Sequence, residues 1–476
     1  MFKRGFVLVL AVLMLATCLI GCDGSGDPAN TTNPATTPVE TTGSDVAPST
    51  SDPANTTEPA PTYGGYELTI AASDSDLFPK YTETGEFASA KDEAWGDELA
   101  ELEERLDVTI SHQQFDDEIE ALMSAGMSGD KIADVLYLNQ KTYWPARTVL
   151  LPVDGDELKA AGLDCYDEER WFQPAVEWSK LEGKAWGLNV ASEYVLETCG
   201  FFVCFNKALT ASAGYDAETL YQLVRDKKWT WDLYLEIAHK TTKDTDGDGV
   251  NDIWGTGATG WGSEIISNDM QYIGEVDGKW QLTIGSDEGI TALQHLYDFN
   301  YGHGTRWDEG SGVCRQGFAD GMITFNFADN GHIKPGSPIY ASEHDYGILP
   351  MPLNFEGGSY ASGTDNNPCL VFQNANKDLD KVVPILNEWA LIVNDTENWK
   401  DIFTDGRCRT DADLEMMTEY IIPNFVLNVA KMSDDIWDLV DEGIISGVSY
   451  NGLTPQQAIE QYEDKINAAL DAFFGS

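Results

Sequence analysis

Positive charge is what this sequence is shortest of. Lys and Arg number 29 against 80 Asp and Glu, a formal net charge of −51. A chain so acidic is repelled by nucleic acid and by anionic lipid, and no local cluster of basic residues supplies an exception. Histidine is scarce as well, and the six present form no metal-ligand spacing. No GxSxG, Walker A or HExxH pattern occurs, which removes three common signatures of hydrolase, nucleotide and zinc-protease chemistry. Gly255-Thr-Gly257-Ala-Thr-Gly260 does match GxGxxG, but no long strand precedes it, and Trp261-Gly262 stands where a dinucleotide-binding helix should begin. It reads as a loop. Paired carboxylates could build a glycosidase, but among 80 acids a suitable pair arises by chance.

Long apolar runs are missing everywhere except at the start. Phe6 to Ile20 is apolar apart from Thr17 and follows the basic Lys3-Arg4. At about 15 residues, or ~22 Å of helix, it is too short to span a bilayer core and reads as an export signal. Its end, Leu19-Ile20-Gly21-Cys22, resembles the lipobox of bacterial lipoproteins. That resemblance implies removal of residues 1–21, a diacylglycerol on the Cys22 thiol, and residence on the outer face of the cell membrane.

Asp23 to Thr62 lacks any aromatic, Lys or Arg, and Asp-Pro-Ala-Asn-Thr-Thr occurs in it twice, at Asp27 and Asp52. Such a segment buries too little apolar surface to offset the entropy of ordering. Residues 22–62 are therefore expected to be a lipidated cysteine and a flexible tether. Of eight cysteines, Cys18 lies in the signal and Cys22 at its end. Cys165, Cys199, Cys204, Cys314, Cys369 and Cys408 remain, as bridges or as packed thiols; their wide spacing leaves both open.

Residues 63–476 are too many for one compact core and suit two lobes. Strand patterns at Tyr66–Ala72, Val108–Ile110 and Asp134–Leu138 alternate with amphipathic helices at Lys91–Leu106 and Asp116–Met127. That order predicts an α/β lobe with a largely parallel sheet. Helices are expected near Glu288–Phe299, Leu379–Val393 and Thr454–Phe474, with strands at Phe201–Phe205 and Met322–Phe327.

One motif carries its own chemistry. Asp244-Thr-Asp246-Gly-Asp248-Gly249-Val250-Asn-Asp252 has the spacing of a calcium loop. A hard cation needs several oxygens converging at about 2.4 Å. Asp244, Asp246 and Asp248 supply carboxylates at loop positions 1, 3 and 5, Gly249 allows the turn, and the Val250 carbonyl and Asp252 fill positions 7 and 9. Position 12 is Gly255, so the loop is not a complete EF-hand. A structural calcium is the expectation, with a remote carboxylate or water closing the shell.

Six short strings resemble the extracellular solute-binding proteins that include the maltodextrin-binding proteins: Ser124-Ala-Gly-Met-Ser-Gly with Ala133-Asp134-Val135, Gly183-Lys-Ala-Trp-Gly-Leu188, Phe205-Asn206-Lys207, Lys228-Trp-Thr-Trp-Asp232, Gly321-Met-Ile-Thr-Phe325 and Tyr346-Gly-Ile-Leu-Pro-Met-Pro352. They stand in family order; Asn189 replaces a usual proline. The resemblance implies a two-lobed periplasmic-binding-protein-like fold (type II), with 63–193 plus 314–347 in lobe one and 195–313 plus 350–476 in lobe two. It further implies a non-catalytic, monomeric subunit of an ABC importer that captures a solute by lobe closure and passes it to a membrane permease. A carbohydrate is the expected solute; a peptide or polyamine, an exported polysaccharide-active enzyme and a surface adhesin are the alternatives. Sugar sites pair aromatic plates with polar side chains. The candidates are Ser73, Asp74 and Asp76 after the first strand, Asn139, Tyr143 and Trp144 after Leu138, and Glu193 and Tyr194 at the first crossing. Trp261 in its glycine-rich loop, Asp329 and Asn330, and Ser362, Thr364 and Asp365 in a late polar loop complete the set. Asp329 stands near where maltodextrin-binding proteins carry a stacking tryptophan.

Overall fold

Alternation along the first strand sorts its side chains onto two faces: Leu68 and Ile70 point one way, Ala71 the other, and all three are buried. The computed structural model describes residues 61–74, 77–116, 118–191, 200–257, 262–266, 270–302, 304–394 and 399–475. In it Tyr66–Ala72 is the second strand of a five-stranded sheet ordered Val108–Gln114, Tyr66–Ala72, Val135–Leu138, Cys369–Gln373, Leu150–Leu151. The first three run parallel, and Cys369–Gln373 runs against both its neighbours.

One face of this sheet (Leu68, Ile70, Leu370, Phe372) is covered by helices Ala90–Leu106 and Leu379–Val393 through Leu102, Leu106, Leu386 and Trp389. Each such side chain contributes ~1.5–3 kcal/mol on burial. Helix Ala90–Leu106 starts where the Ser89 hydroxyl accepts from the Asp92 amide and stops where Asp107 turns left-handed. The other face (Ala71, Leu136, Leu138, Val371) is continuous with a helical layer made from residues 263–300 and 425–474. Asp134 pins the sheet edge: it accepts from the Thr69 amide at 2.9 Å, the Tyr66 hydroxyl at 2.9 Å and the Lys131 ammonium at 2.6 Å.

A second, four-stranded sheet has the order Tyr346–Pro350, Phe202–Asn206, Ile323–Ala328, Trp254–Thr256. Phe202–Asn206 is antiparallel to both neighbours, and Trp254–Thr256 is parallel to Ile323–Ala328. Its core is aromatic. Tyr234 stacks on Phe325 with centroids 4.5 Å apart, and Trp231 meets Phe327 edge-on. Gly255 belongs to this packing and not to a nucleotide loop, since a Cβ there would lie 2.2 Å from the Ala238 carbonyl oxygen.

This pairing corrects the expected division of the chain. Residues 314–347 were assigned to the first lobe, yet Ile323–Ala328 pairs in the second sheet, while Cys369–Gln373 returns to the first. The three strands read from the sequence are parallel as expected, and Cys369–Gln373 enters against them as the one antiparallel strand. The described residues that flank the crossings are tied to one another. The Phe201 amide donates to the Gly363 carbonyl at 3.0 Å, Asn189 Nδ2 to the Pro368 carbonyl at 2.6 Å, and the Ala191 amide to Asn394 Oδ1 at 2.6 Å. Among the described residues no helix is long and apolar enough to cross a membrane. The signal, tether and Cys22 lie outside the described residues.

Asp413 is the second lobe's counterpart of Asp134. Fully buried, it accepts from the Tyr221 hydroxyl at 2.5 Å, the Ile348 amide at 2.9 Å, and the Thr410 amide and hydroxyl at 3.0 and 2.9 Å. Removing it strands several buried donors, which costs about 3–5 kcal/mol. Asp413→Ala is expected to lose that much in chemical denaturation with an unchanged slope; a loss under ~1 kcal/mol would contradict this role.

Candidate ligand-binding cleft

In open α/β sheets ligands bind beyond the carboxyl ends of the strands, where the topology switches. In the first sheet those ends are Ala72, Gln114 and Leu138, and the crossing 365–368 arrives beside Leu138. In the second they are Thr256, Ala328 and Pro350, beside the Phe201 crossing. Both carboxyl edges therefore face the crossings, and the cleft lies between them.

Asp365 sits on the crossing itself. Its carboxylate pairs with Lys431 Nζ at 3.0 Å and accepts from Asn428 Nδ2 at 3.2 Å, while its carbonyl accepts from Gln140 Nε2 at 2.8 Å. The next residues are tied equally closely to the first lobe. The Asn367 amide donates to Gln140 Oε1 at 2.8 Å, Asn367 Nδ2 to the Tyr143 hydroxyl at 3.2 Å, and Asn139 Nδ2 to Asn366 Oδ1 at 3.1 Å.

Around this knot gather groups that the sequence did not single out. Lys431 Nζ lies 4.5 Å from the ring centroid of half-buried Trp437, and Lys141 reaches across to Asp434 at 3.2 Å. Asp441 follows in the π-helical segment Leu439–Ile445, a conformation often met at functional sites. Burial pushes the Asp441 carboxyl above the usual carboxylate range, against the pull of Lys431, and the Asp365 charge adds to the rise. The arrangement is one aromatic plate, two paired ammonium groups and several carboxylates at a topological switch.

The sequence candidates divide between this place and the core. Ser73 and Asp74 are exposed at the end of the first strand, and Asn139 is half-exposed at the end of the third. Tyr143 and Trp144 are not free plates: 0% and 1% exposed, they turn inward to Asn367 and to the Ser179 carbonyl, 3.0 Å from Trp144 Nε1. Ser362, Thr364 and Asn330 are fully buried. Asp329 accepts from the His332 amide at 3.0 Å and caps the short helix Asn330–Ile333. Asp76, Glu193, Tyr194 and Trp261 lie outside the described residues. Trp437 had one legible signal, an aromatic in the acid-flanked Asp434–Asp438 helix.

The acidic loop is far from this knot in sequence and closed by its own turns. Asp244 accepts from the Gly247 and Gly249 amides at 2.6 and 2.8 Å, Asp252 accepts from the Thr245 amide at 2.7 Å and from its hydroxyl, and both glycines have positive φ. Those amides hold the Asp244 carboxyl below its usual range, and the Thr245 hydroxyl does the same for Asp252. One carboxylate oxygen each from Asp244, Asp246 and Asp252 falls within 4.8 Å of the others, a donor set that fits a hard cation. Asp248 is not in that set; its carboxylate accepts from the Val250 amide at 2.8 Å, and the Val250 side chain is exposed.

No family model matches the sequence, and no curated protein matches it. Solved structures match its fold. A cyclic alpha-maltosyl-1,6-maltose binding protein of Arthrobacter globiformis aligns at TM-score 0.58 and 15% identity, over 86% of this chain and 100% of its own. The ABC substrate-binding protein Lmo0181 of Listeria monocytogenes, solved with cycloalternan, aligns at 0.55 and 18%, over 85% and 99%. UgpB of Mycobacterium tuberculosis, solved with glycerophosphocholine, aligns at 0.57 and 14%, over 86% and 100%. Likeness at such identities carries the fold and not the ligand. The chain has the two-lobed, type II fold of substrate-binding proteins.

Proposed function

We propose that the chain is the non-catalytic substrate-binding subunit of an ABC importer, capturing a neutral carbohydrate by closure of its two lobes and delivering it to a membrane permease. The observation that carries this reading is the grouping of Trp437, Lys431 and Asp365 at the crossing between the carboxyl edges of both sheets. A sugar ring offers an apolar C–H face to the indole and hydroxyls to the surrounding carboxylates and ammonium. Lys431 is already paired with Asp365, so no unmatched positive charge is offered to an anion. The neighbours from Arthrobacter and Listeria, one named for cyclic alpha-maltosyl-1,6-maltose and the other solved with cycloalternan, support the choice of carbohydrate. UgpB shows that the same fold also takes a phosphodiester.

Closure follows from differential contact. A solute touching both lobes stabilises the closed form by the contacts it makes only there. The protein is held as a monomer on the outer membrane face by lipid on Cys22, with residues 23–62 as tether. Calcium at Asp244, Asp246 and Asp252 fixes the turn after helix Trp231–Thr241 and has no part in ligand binding.

A thermal-shift panel tests both parts. Mono- and oligosaccharides are set beside amino acids, peptides and polyamines, each with calcium and with chelator. A true ligand at about 100 times its dissociation constant adds ~2.7 kcal/mol. Stabilisation by glycans alone, without their degradation and lost in Trp437→Ala, is expected. Stabilisation by a polyamine or peptide instead would overturn the carbohydrate assignment. Calcium is expected to raise the melting temperature with or without sugar, and Asp244→Asn combined with Asp246→Asn to abolish that rise.

A further inference from the structure

Among the described residues a groove of about 620 Å³ lies away from the cleft knot. That volume is within the ~300–1,000 Å³ of small-ligand sites. One wall is the Glu182-Gly183 turn of the hairpin Lys180–Ala185, which belongs to the first lobe through the Val153 amide to Ala185 carbonyl bond. The other wall is the hairpin Ile273–Leu282 together with the end of helix Pro455–Phe474. Both turns are left-handed at two successive residues, Glu182 at φ +53 with Gly183 at +75, and Asp277 at +54 with Gly278 at +82. A residue with a side chain adopts the Glu182 conformation only at a cost. That conformation is held by Arg147, whose Nε meets the Glu182 carboxylate at 2.8 Å.

The groove has an aromatic shelf. Trp280 lies parallel to Phe474 with centroids 5.3 Å apart and an interplanar angle of 11°. Behind it the Arg147 guanidinium sits 4.8 Å from the Phe473 ring centroid and 5.8 Å from that of Phe474. Charge at the rim is largely matched. Glu182 pairs with Arg147, and Lys279 pairs with Asp471 at 3.0 Å. What remains is the exposed carboxylate of Glu275 on the hairpin Ile273–Leu282. The exposed Glu275 carboxylate disfavours an anion, and the polar rim disfavours an apolar ligand. The aromatic pair and a rim of hydrogen-bonding side chains together suit a polyhydroxylated ring without negative charge.

We propose that this groove is an accessory saccharide site, distinct from the cleft, in which a sugar ring lies on the Trp280–Phe474 shelf with its hydroxyls on Glu275, Asp471 and Lys279. It goes beyond the importer reading and does not depend on it. Because one wall belongs to the first lobe and the other to the helical layer, occupancy couples to how those parts sit against each other.

The test is saturation-transfer NMR on the intact chain with maltotriose, cellotriose and xylotriose, in wild type, Trp437→Ala, Trp280→Ala and Glu275→Lys. Glu275 is exposed on a hairpin, so its variant keeps the fold if Trp280→Ala does not; melting curves verify this. Transfer to at least one trisaccharide is expected to survive Trp437→Ala and to weaken about tenfold or more in both groove variants. Transfer that vanishes in Trp437→Ala, or that both groove variants leave unchanged, would assign all binding to the cleft and overturn the accessory site. Absence of transfer to all three sugars in wild type would overturn it too, leaving open a cleft built for another solute.

Discussion

The Asp365 carboxylate and the crossing it anchors are what the rest of this structure depends on. Through its side chain Asp365 is tied to Lys431 and Asn428, and through its backbone to Gln140 of the first lobe. A buried or half-buried carboxylate is expensive to desolvate unless its oxygens are met. Here both are, each by a group from the last third of the chain. The crossing is thus held in register with parts of the sequence 63 residues downstream and 225 upstream.

From that interlock the two sheets acquire their mutual arrangement. The first carries its helices on one face and meets the helical layer on the other; the second is filled by aromatics around Tyr234 and Phe325. Each has its own buried aspartate, Asp134 or Asp413, tying its strands to neighbouring segments. Rigid lobes joined by a few hydrogen-bonded crossings move as bodies when a ligand favours one arrangement. Inverting a strongly biased open–closed equilibrium takes about 5.5 kcal/mol of differential binding, within reach of an aromatic contact and several hydrogen bonds made only when closed.

Much of this was legible in the sequence. The alternating Tyr66–Ala72 strand and the helices at Lys91–Leu106, Leu379–Val393 and Thr454–Phe474 are written in local chemistry, and the structure follows them closely. Asp365 was a candidate for ligand contact and stands at the crossing as a partner of Lys431. What local pattern could not give was pairing over distance. Cys369–Gln373 is a short apolar run that could join either lobe, and only its register against Val135–Leu138 decides. Tyr143 and Trp144 follow a strand end as ligand plates do, yet the chain folds them under the crossing, where Asn367 takes the Tyr143 hydroxyl. Trp437 escaped notice because its place is fixed by Lys431, which reaches it through Asp365.

Small-angle X-ray scattering of the intact chain, with and without the saccharide that most raises its melting temperature, tests the central claim directly. A smaller radius of gyration is expected on saturation, with loss of that compaction in Trp437→Ala. A scattering curve unchanged at saturating ligand would contradict capture by closure.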